Sequence, residues 1–422
     1  MIKKRVLTLI LMLMIVVCCV TEALVIKDMR EENRQLSERI LELDQNIAQN
    51  ASAIEEVNDR METKAEIETP SLFLPRDIYV AAGTTVEIYN DCVCTGVNQE
   101  DYDFYWECEV GDCMEEKFRI HSESDMTGDY LLKLHLYNYR LEEVALVQAT
   151  LHIVPNVFLD ESTGMVNMLT IGDSLSASTN WLSYTRYLSG EKLYHVGTLG
   201  DTEGLMNEGI PGITAGEYFD GLLYGAESPN AFTNPQTGEF DWNYYKQTTG
   251  LEPDVVQIFL GTNGLEMDPT VNAGNIVAIV DKIREADADI QILVVEPIFP
   301  SNQDGMAMQQ NIPGFEKATH GMWALPRSVM VFNLDAELDN RLAGYENVTI
   351  VPAGVMFDRD YGFGQEEIRK NPHSDVLESV PDQGIHPSVA GYNQIGDSVY
   401  GALCYLIHEG KIETTPMEET GE

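Results

Sequence analysis

The fold is decided by the stretch Met168-Leu-Thr-Ile-Gly-Asp-Ser-Leu-Ser-Ala-Ser178. A mostly apolar run, typical of a buried strand, leads into Gly172, Asp173 and Ser174, and a helix-like segment follows. Gly172 permits a tight backbone bend, and the start of the helix directs N–H groups towards developing negative charge. A serine at such a turn is either a nucleophile or the polar cap of a helix. The stretch alone leaves both interpretations open.

Similar apolar runs recur along the carboxyl-terminal part of the chain. They predict strands at residues 166–171, 193–197, 255–260, 290–295, 329–333 and 348–351. Helical patterns lie between or after them, notably at 272–286 and 388–408. This alternation predicts an α/β domain over residues 160–410, with a doubly wound, flavodoxin-like parallel sheet. In such a sheet the functional site lies at the carboxyl ends of the strands.

The charge of the chain excludes one class of partner. There are 69 acidic and 26 basic residues, which give a formal net charge of −43. Nucleic-acid binding requires basic surface, so no nucleic acid is expected as a partner.

The amino-terminal sequence predicts that the protein is exported from the cytoplasm. Residues 1–26 begin Met-Ile-Lys-Lys-Arg and continue as an apolar run, which indicates either a cleaved signal peptide or an uncleaved signal anchor. We favour the anchor, which would make this a single-pass membrane protein with its carboxyl-terminal domains outside; a secreted protein is the alternative. The reason is that a coiled-coil stalk is predicted directly behind it.

Residues 27–64 continue a heptad pattern that begins at Ile26. Apolar residues alternate at spacings of three and four, and no Pro or Gly interrupts them. Ile at the a positions with Leu at d favours a parallel homodimer, and Asn33 at an a position would set the register. A lone amphipathic helix packed on the globular part is the alternative.

Residues 65–155 change to a period of two, as in Leu132, Leu134 and Leu136. This predicts a small all-β sandwich with a loose resemblance to immunoglobulin-type domains. Four cysteines fall in it: Cys92, Cys94, Cys108 and Cys113. Disulfides or free buried thiols are expected in preference to zinc, because Cys-x-Cys is poor zinc spacing and no His pair accompanies it.

Four short blocks occur at the predicted strand ends. They are Gly172-Asp-Ser-Leu175, Asn207-Glu-Gly-Ile-Pro-Gly212, Gly261-Thr-Asn-Gly264 and Asp382-Gln-Gly-Ile-His-Pro387. In order and spacing, residues 165–410 resemble the GDSL/SGNH hydrolase family of serine esterases. The resemblance implies Ser174 as nucleophile, His386 as general base, and an oxyanion hole made by Ser174, Gly209 and Asn263. No cofactor or metal is implied.

The sequence departs from the family pattern at two positions. Gly264 replaces the usual Asp after Asn263, and Gln383 stands where the acid that orients the histidine normally lies. We expect Asp382, one residue earlier, to reach His386 through a one-residue bulge. The alternatives are a Ser-His dyad or an acid from elsewhere, such as Asp375.

Two inserts and a tail complete the chain. The segment 217–250 is rich in aromatic residues, which either form a lip over the site or pack the insert onto the domain. The segment 357–384 is a polar insert near the site, and residues 411–422 are expected to be an acidic disordered tail.

Together these features predict an extracytoplasmic serine esterase that hydrolyses small acyl esters, with acetyl groups on a carbohydrate as the expected substrate. Transfer of the acyl group to another alcohol is an alternative within the same fold. An alternative of another class is a surface-anchored carbohydrate-binding or adhesion protein whose hydrolase domain is degenerate.

Overall fold

The computed structural model describes residues 70–221, 230–265, 268–301 and 324–416, together with Arg39. The predicted signal segment 1–26 lies outside them, as does the coiled coil 27–64 except for Arg39. Within the described residues, no helix is both long enough and apolar enough to cross a bilayer. Every strand and helix given below belongs to one compact unit, Thr69–Glu422.

The amino-terminal half of this unit is built from strands. They are β1 (Ser71–Leu72), β2 (Asp77–Ala81), β3 (Thr85–Tyr89), β4 (Cys94–Thr95), β5 (Tyr102–Glu107), β6 (Asp112–Cys113), β7 (Lys117–His121), β8 (Gly128–Asn138) and β9 (Glu143–Val154), with a short helix α1 (Asn90–Val93) before β4. One sheet has the order β2-β9-β8-β5 and another the order β3-β7-β6. Trp106 of the first stacks on Phe118 of the second with ring centroids 5.6 Å apart, so the two sheets share a core.

The period-two pattern accounts for this sandwich. Leu132, Leu134 and Leu136 of β8 are fully buried, while Lys133 and His135 between them are only partly so. The five cysteines in the described part of the chain are free thiols, and three of them, Cys92, Cys94 and Cys404, are buried.

The carboxyl-terminal half alternates strands and helices. Its elements are β10 (Val166–Gly172), α2 (Ser174–Ala177), α3 (Asn180–Leu188), β11 (Leu193–Val196), β12 (Glu208–Gly209), α4 (Ala215–Phe219), α5 (Trp242–Thr249), β13 (Val255–Phe259), α6 (Pro269–Ala286), β14 (Gln291–Val295), α7 (Ala324–Leu342), β15 (Val348–Val351), β16 (Gln365–Arg369), β17 (Leu377–Pro381) and α8 (Val389–His408).

A parallel sheet organises this half. Its order is β11-β10-β13-β14-β15, with β12 also paired to β10. The second strand of the sequence lies outside the first and the others follow on the opposite side, which is the order of flavodoxin-like sheets. All residues of β13 and β14 are buried, as strands covered on both faces must be. This topology brings the ends of β10, β12 and β13 to one edge.

Helix α8 joins the two halves. It is buried along most of its length, because α3 packs on one side and the sandwich strand β2 on another. At Gly396 an added Cβ would lie 2.6 Å from a ring carbon of Tyr184 in α3. At Gly401 it would lie 2.9 Å from the carbonyl carbon of Tyr79 in β2. A helix whose residues are mostly apolar and buried fits this double contact.

Two predictions of local structure are wrong. The run 329–333 was expected to be a strand, but it lies inside α7, whose buried residues include Val331, Leu334 and Leu338 at helical spacing. Residues 411–416 were expected to belong to a disordered tail, yet Thr415 pairs with Met165 through two backbone hydrogen bonds and Ile412 is buried. Residues 417–422 lie outside the described part.

Candidate active site

Ser174 stands at the sharp turn between β10 and α2. Asp173 caps the helix, since its Oδ1 accepts a hydrogen bond of 2.9 Å from the Leu175 N–H. Gly172 lies against the following turn, where an added Cβ would come 2.6 Å from the Ser176 Cβ. The turn therefore requires glycine because there is no room for a side chain. The Ser174 N–H has no acceptor among the described residues, which leaves it available to a ligand.

His386, close to the carboxyl-terminal helix in sequence, lies beside Ser174. Its Nε2 lies 3.0 Å from the Ser174 Oγ, although 212 residues separate the two in sequence. The residue just after the histidine, Pro387, forms a β-bridge with Phe363, and Ser388 then caps α8. Burial lowers the pKa of His386, so its imidazole is neutral and able to accept a proton at neutral pH.

The structure does not place Asp382 on His386. Its backbone N–H donates to the Gly364 carbonyl at 2.8 Å, and its carboxylate lies over the Gly364 Cα, where an added Cβ would come 2.7 Å from Oδ1. The side chain is exposed, and within the described part of the chain no hydrogen bond joins it to His386. The expected one-residue bulge is therefore not seen, because Asp382, directly after β17, is still hydrogen-bonded to Gly364 through its backbone. Asp375 also lies elsewhere, in an exposed ion pair with Arg369 at 3.7 Å.

Asn263 follows β13, and its side chain is oriented by Asp173. The Asn263 Nδ2 donates to the Asp173 Oδ2 at 3.2 Å. Burial raises the pKa of Asp173 to about 7, against the lowering effect of the Leu175 N–H. Asp173 thus links two of the four blocks, the nucleophile turn and the Asn263 loop. From the sequence Asp173 was expected to shape the turn, and its contact with Asn263 was not predicted.

The second block supplies two glycines in different situations. Gly209 pairs beside Gly172 at the end of β12, but its N–H already donates to the Asn207 Oδ1 at 2.8 Å. The expected Gly209 donor is therefore engaged with its own loop. Three residues later, Gly212 is exposed with φ of +81°, and its N–H has no acceptor among the described residues. Of the two glycines, Gly212 is the one with an available donor.

A buried cluster holds this second block in place. The Glu208 carboxylate accepts from the Thr198 N–H at 2.6 Å and from the Tyr245 hydroxyl at 2.8 Å. The Tyr218 hydroxyl donates to the Glu208 carbonyl at 2.9 Å. Tyr245 stacks on Phe232 with centroids 4.1 Å apart. The described aromatic residues of the 217–250 insert therefore pack onto the domain, and two of them, Tyr218 and Tyr245, position the loop of the second block.

Two further carboxyl groups lie near the same sheet edge. Glu296 follows β14 and Asp335 belongs to α7; both are fully buried, and none of their carboxyl oxygens has a hydrogen-bond partner among the described residues. Burial raises the pKa of each well above its ordinary range, and the Glu296 charge adds to the effect at Asp335. The adjoining Pro297 contacts the position of Gly261, two residues before Asn263. The described residues contain no group of three or more metal-ligating side chains suited to a metal ion.

Comparison with known proteins adds structural neighbours only. No family model and no curated protein matches the sequence. An acetyl esterase crystallised with an acetate ion is similar at 17% identity and a TM-score of 0.37, over 58% of this chain and 100% of that one. A family 3 carbohydrate esterase from Talaromyces cellulolyticus is similar at 18% identity and a TM-score of 0.36, over 58% and 99%.

A third neighbour is the periplasmic domain of a lipopolysaccharide acetyltransferase from Salmonella ser. Paratyphi A. It is 17% identical with a TM-score of 0.34, over 57% of this chain and 84% of that one. Such values are too low to assign an activity, and the chemistry of this site is inferred from its own geometry.

Proposed function

We propose that this chain is a serine esterase of the SGNH type that hydrolyses small acyl esters, with acetyl groups on a carbohydrate as the substrate class. The observation that carries the proposal is the 3.0 Å contact between the His386 Nε2 and the Ser174 Oγ, made at the edge of a parallel sheet. A nucleophile and a base within hydrogen-bond reach form the minimal apparatus for acyl transfer.

In this mechanism the Ser174 Oγ attacks the ester carbonyl carbon while His386 takes the hydroxyl proton. The imidazolium then gives that proton to the leaving alcohol, and water repeats the sequence to release the acid. The oxyanion is received by the Ser174 N–H, the Asn263 amide and a glycine of the second block. We assign that last donor to Gly212, because the Gly209 N–H is engaged by Asn207. Each such donor stabilises the transition state by roughly 3–4 kcal/mol.

The histidine works without a carboxylate partner in this proposal. Nothing then stabilises the imidazolium charge directly, so the rate should be lower than that of a full triad. The same feature supports the alternative of a binding protein with a degenerate site.

One experiment separates the two functions. The full chain and its Ser174→Ala variant are compared on p-nitrophenyl acetate. The esterase predicts a rate that falls to the uncatalysed level in the variant; equal rates for the two proteins would favour the binding protein.

We also propose that the enzyme acts outside the cytoplasm, held at the membrane by residues 1–26 and paired through a coiled coil over 27–64. The support is the basic start, the apolar run and the heptad spacing. Light scattering on the chain with and without residues 27–64 tests the pairing, and a monomer in both cases would reject it.

A further inference from the structure

A groove of about 670 Å³ lies between the β-sandwich and the segment Asp358–Tyr361. Its size is that of sites that hold small molecules or short polymer segments. One wall comes from the strands and turns of the sandwich and the other from the polar insert of the catalytic half. Neither half could form the groove alone.

The segment that forms one wall of the groove leads into residues that are hydrogen-bonded to the histidine loop. The Gly362 N–H donates to the Asp358 carbonyl at 2.8 Å, and the Ser388 N–H donates to the Gly362 carbonyl at 2.8 Å. Phe363 is bridged to Pro387, the neighbour of His386. Backbone geometry therefore puts the Cα of Tyr361 within about 17 Å of the Cα of His386. A ligand of a few linked rings can span that distance.

The lining combines ring faces with negative charge. Tyr102, Phe104 and Tyr361 present aromatic surface, and Tyr361 is 67% exposed. Four exposed carboxylates join them and form no ion pair with any described residue. These are Glu100, Asp103, Glu115 and Glu116.

The two cations of the lining are already engaged. The Lys117 Nζ lies 2.8 Å from the Glu87 Oε2, and the buried Arg359 lies 3.8 Å from Asp91 while its Nε donates to the Pro300 carbonyl. The groove therefore repels anions and attracts cations. Aromatic faces suit the C–H faces of sugar rings and also ammonium groups.

We propose that this groove binds a glycan chain whose sugars carry free amino groups, and that it presents an acyl ester on the same chain to Ser174. The inference rests on the proposed esterase function for its second part only; binding in the groove stands on its own. It assigns the sandwich a direct role in substrate recognition.

The test uses the full chain with Ser174→Ala, so that nothing is turned over. Calorimetry at about pH 5.5, where amines are protonated, compares a glucosamine tetramer with an N-acetylglucosamine tetramer of the same length. We expect the amine form to bind about tenfold more tightly, with an affinity that falls as salt is added. Equal affinities, or binding of neither tetramer, would overturn the proposal.

Variants locate the binding. Tyr361→Ala and Asp103→Asn should each weaken the glucosamine tetramer about fivefold, whereas Tyr139→Ala, on an exposed turn of the sandwich, should not. Unchanged affinity in both groove variants would overturn the site.

The failures of the two proposals are distinguishable. Hydrolysis of p-nitrophenyl acetate by the parent chain, measured beside Ser174→Ala, reports on the esterase alone, since this small ester cannot extend from Ser174 to the groove. Normal hydrolysis without glycan binding would reject the groove and retain the esterase. Glycan binding without hydrolysis would reject the esterase and retain the groove as a binding site.

Discussion

The buried pair Glu296 and Asp335 should make the stability of the protein fall as pH rises. Both carboxyls have raised pKa values because they are buried without hydrogen-bond partners among the described residues. In the unfolded chain they ionise near pH 4. A group whose pKa is raised by folding contributes its full stability below the unfolded pKa and loses it as pH approaches the folded one. The loss begins near pH 4 and continues upwards.

The magnitude follows from linkage. At a pH above the unfolded pKa, a carboxyl that stays protonated in the fold is ionised in the unfolded chain. Each such group lowers the free energy of unfolding by about 1.4 kcal/mol for every unit by which the pH rises. Glu296→Gln keeps the shape of the side chain and removes one titrating group. Between about pH 5 and pH 7, the variant should therefore lose less stability than the parent; one proton over two pH units sets an upper limit of about 3 kcal/mol on the difference.

Urea unfolding followed by tryptophan fluorescence at several pH values measures the effect. Asp335→Asn should flatten the pH dependence in the same direction, and Glu346→Gln, at an exposed position, should not. If Glu296→Gln and the parent lose stability in parallel between those pH values, the pair is ionised or solvated in the fold, and its burial does not cause the pH dependence.

Three further predictions concern the site. Gly172→Ala should lower stability by roughly 1–3 kcal/mol, because its Cβ would overlap Ser176; Gly274→Ala, in a helix, is the control and should be neutral or slightly stabilising in thermal unfolding. Asp382→Asn should lower kcat/KM by less than about tenfold, whereas a loss on the order of 10⁴ would place this carboxylate on the histidine in the working enzyme. The acid limb of kcat/KM should have its midpoint below the ordinary histidine pKa, about 6.5, because burial lowers the pKa of His386; a midpoint at or above that value contradicts the assignment.

Continuous apolar runs made the parallel sheet predictable. Five of the six predicted strands are present. A strand that is buried on both faces is apolar throughout, so it is recognisable as a short continuous apolar run. The strand predicted at 329–333 was wrong because a run of five residues is too short to reveal a helical period. The helical spacing of buried residues becomes visible only when the pattern is followed to Leu338. The contact between Ser174 and His386 was likewise predicted, because the four blocks resemble the pattern of the GDSL/SGNH family.

The finer parts of the site were beyond the sequence. Whether Gly209 or Gly212 offers its N–H depends on the Asn207 side chain, which turns back on its own loop. The position of the Asp382 carboxylate depends on where the backbone pairing after β17 stops. A difference of one residue in that end point would move the side chain. Such outcomes rest on single hydrogen bonds, each worth about 1 kcal/mol, which residue patterns do not encode.

The clamping of helix α8 between α3 and β2 has a consequence for how this protein can be altered. Because the helix that follows His386 is covered on one side by the sandwich, the carboxyl-terminal half cannot be separated from it as an independent module. Separating the two halves would expose the buried side chains by which α8 contacts β2. Recombination would therefore have to keep the sandwich and the carboxyl-terminal half together.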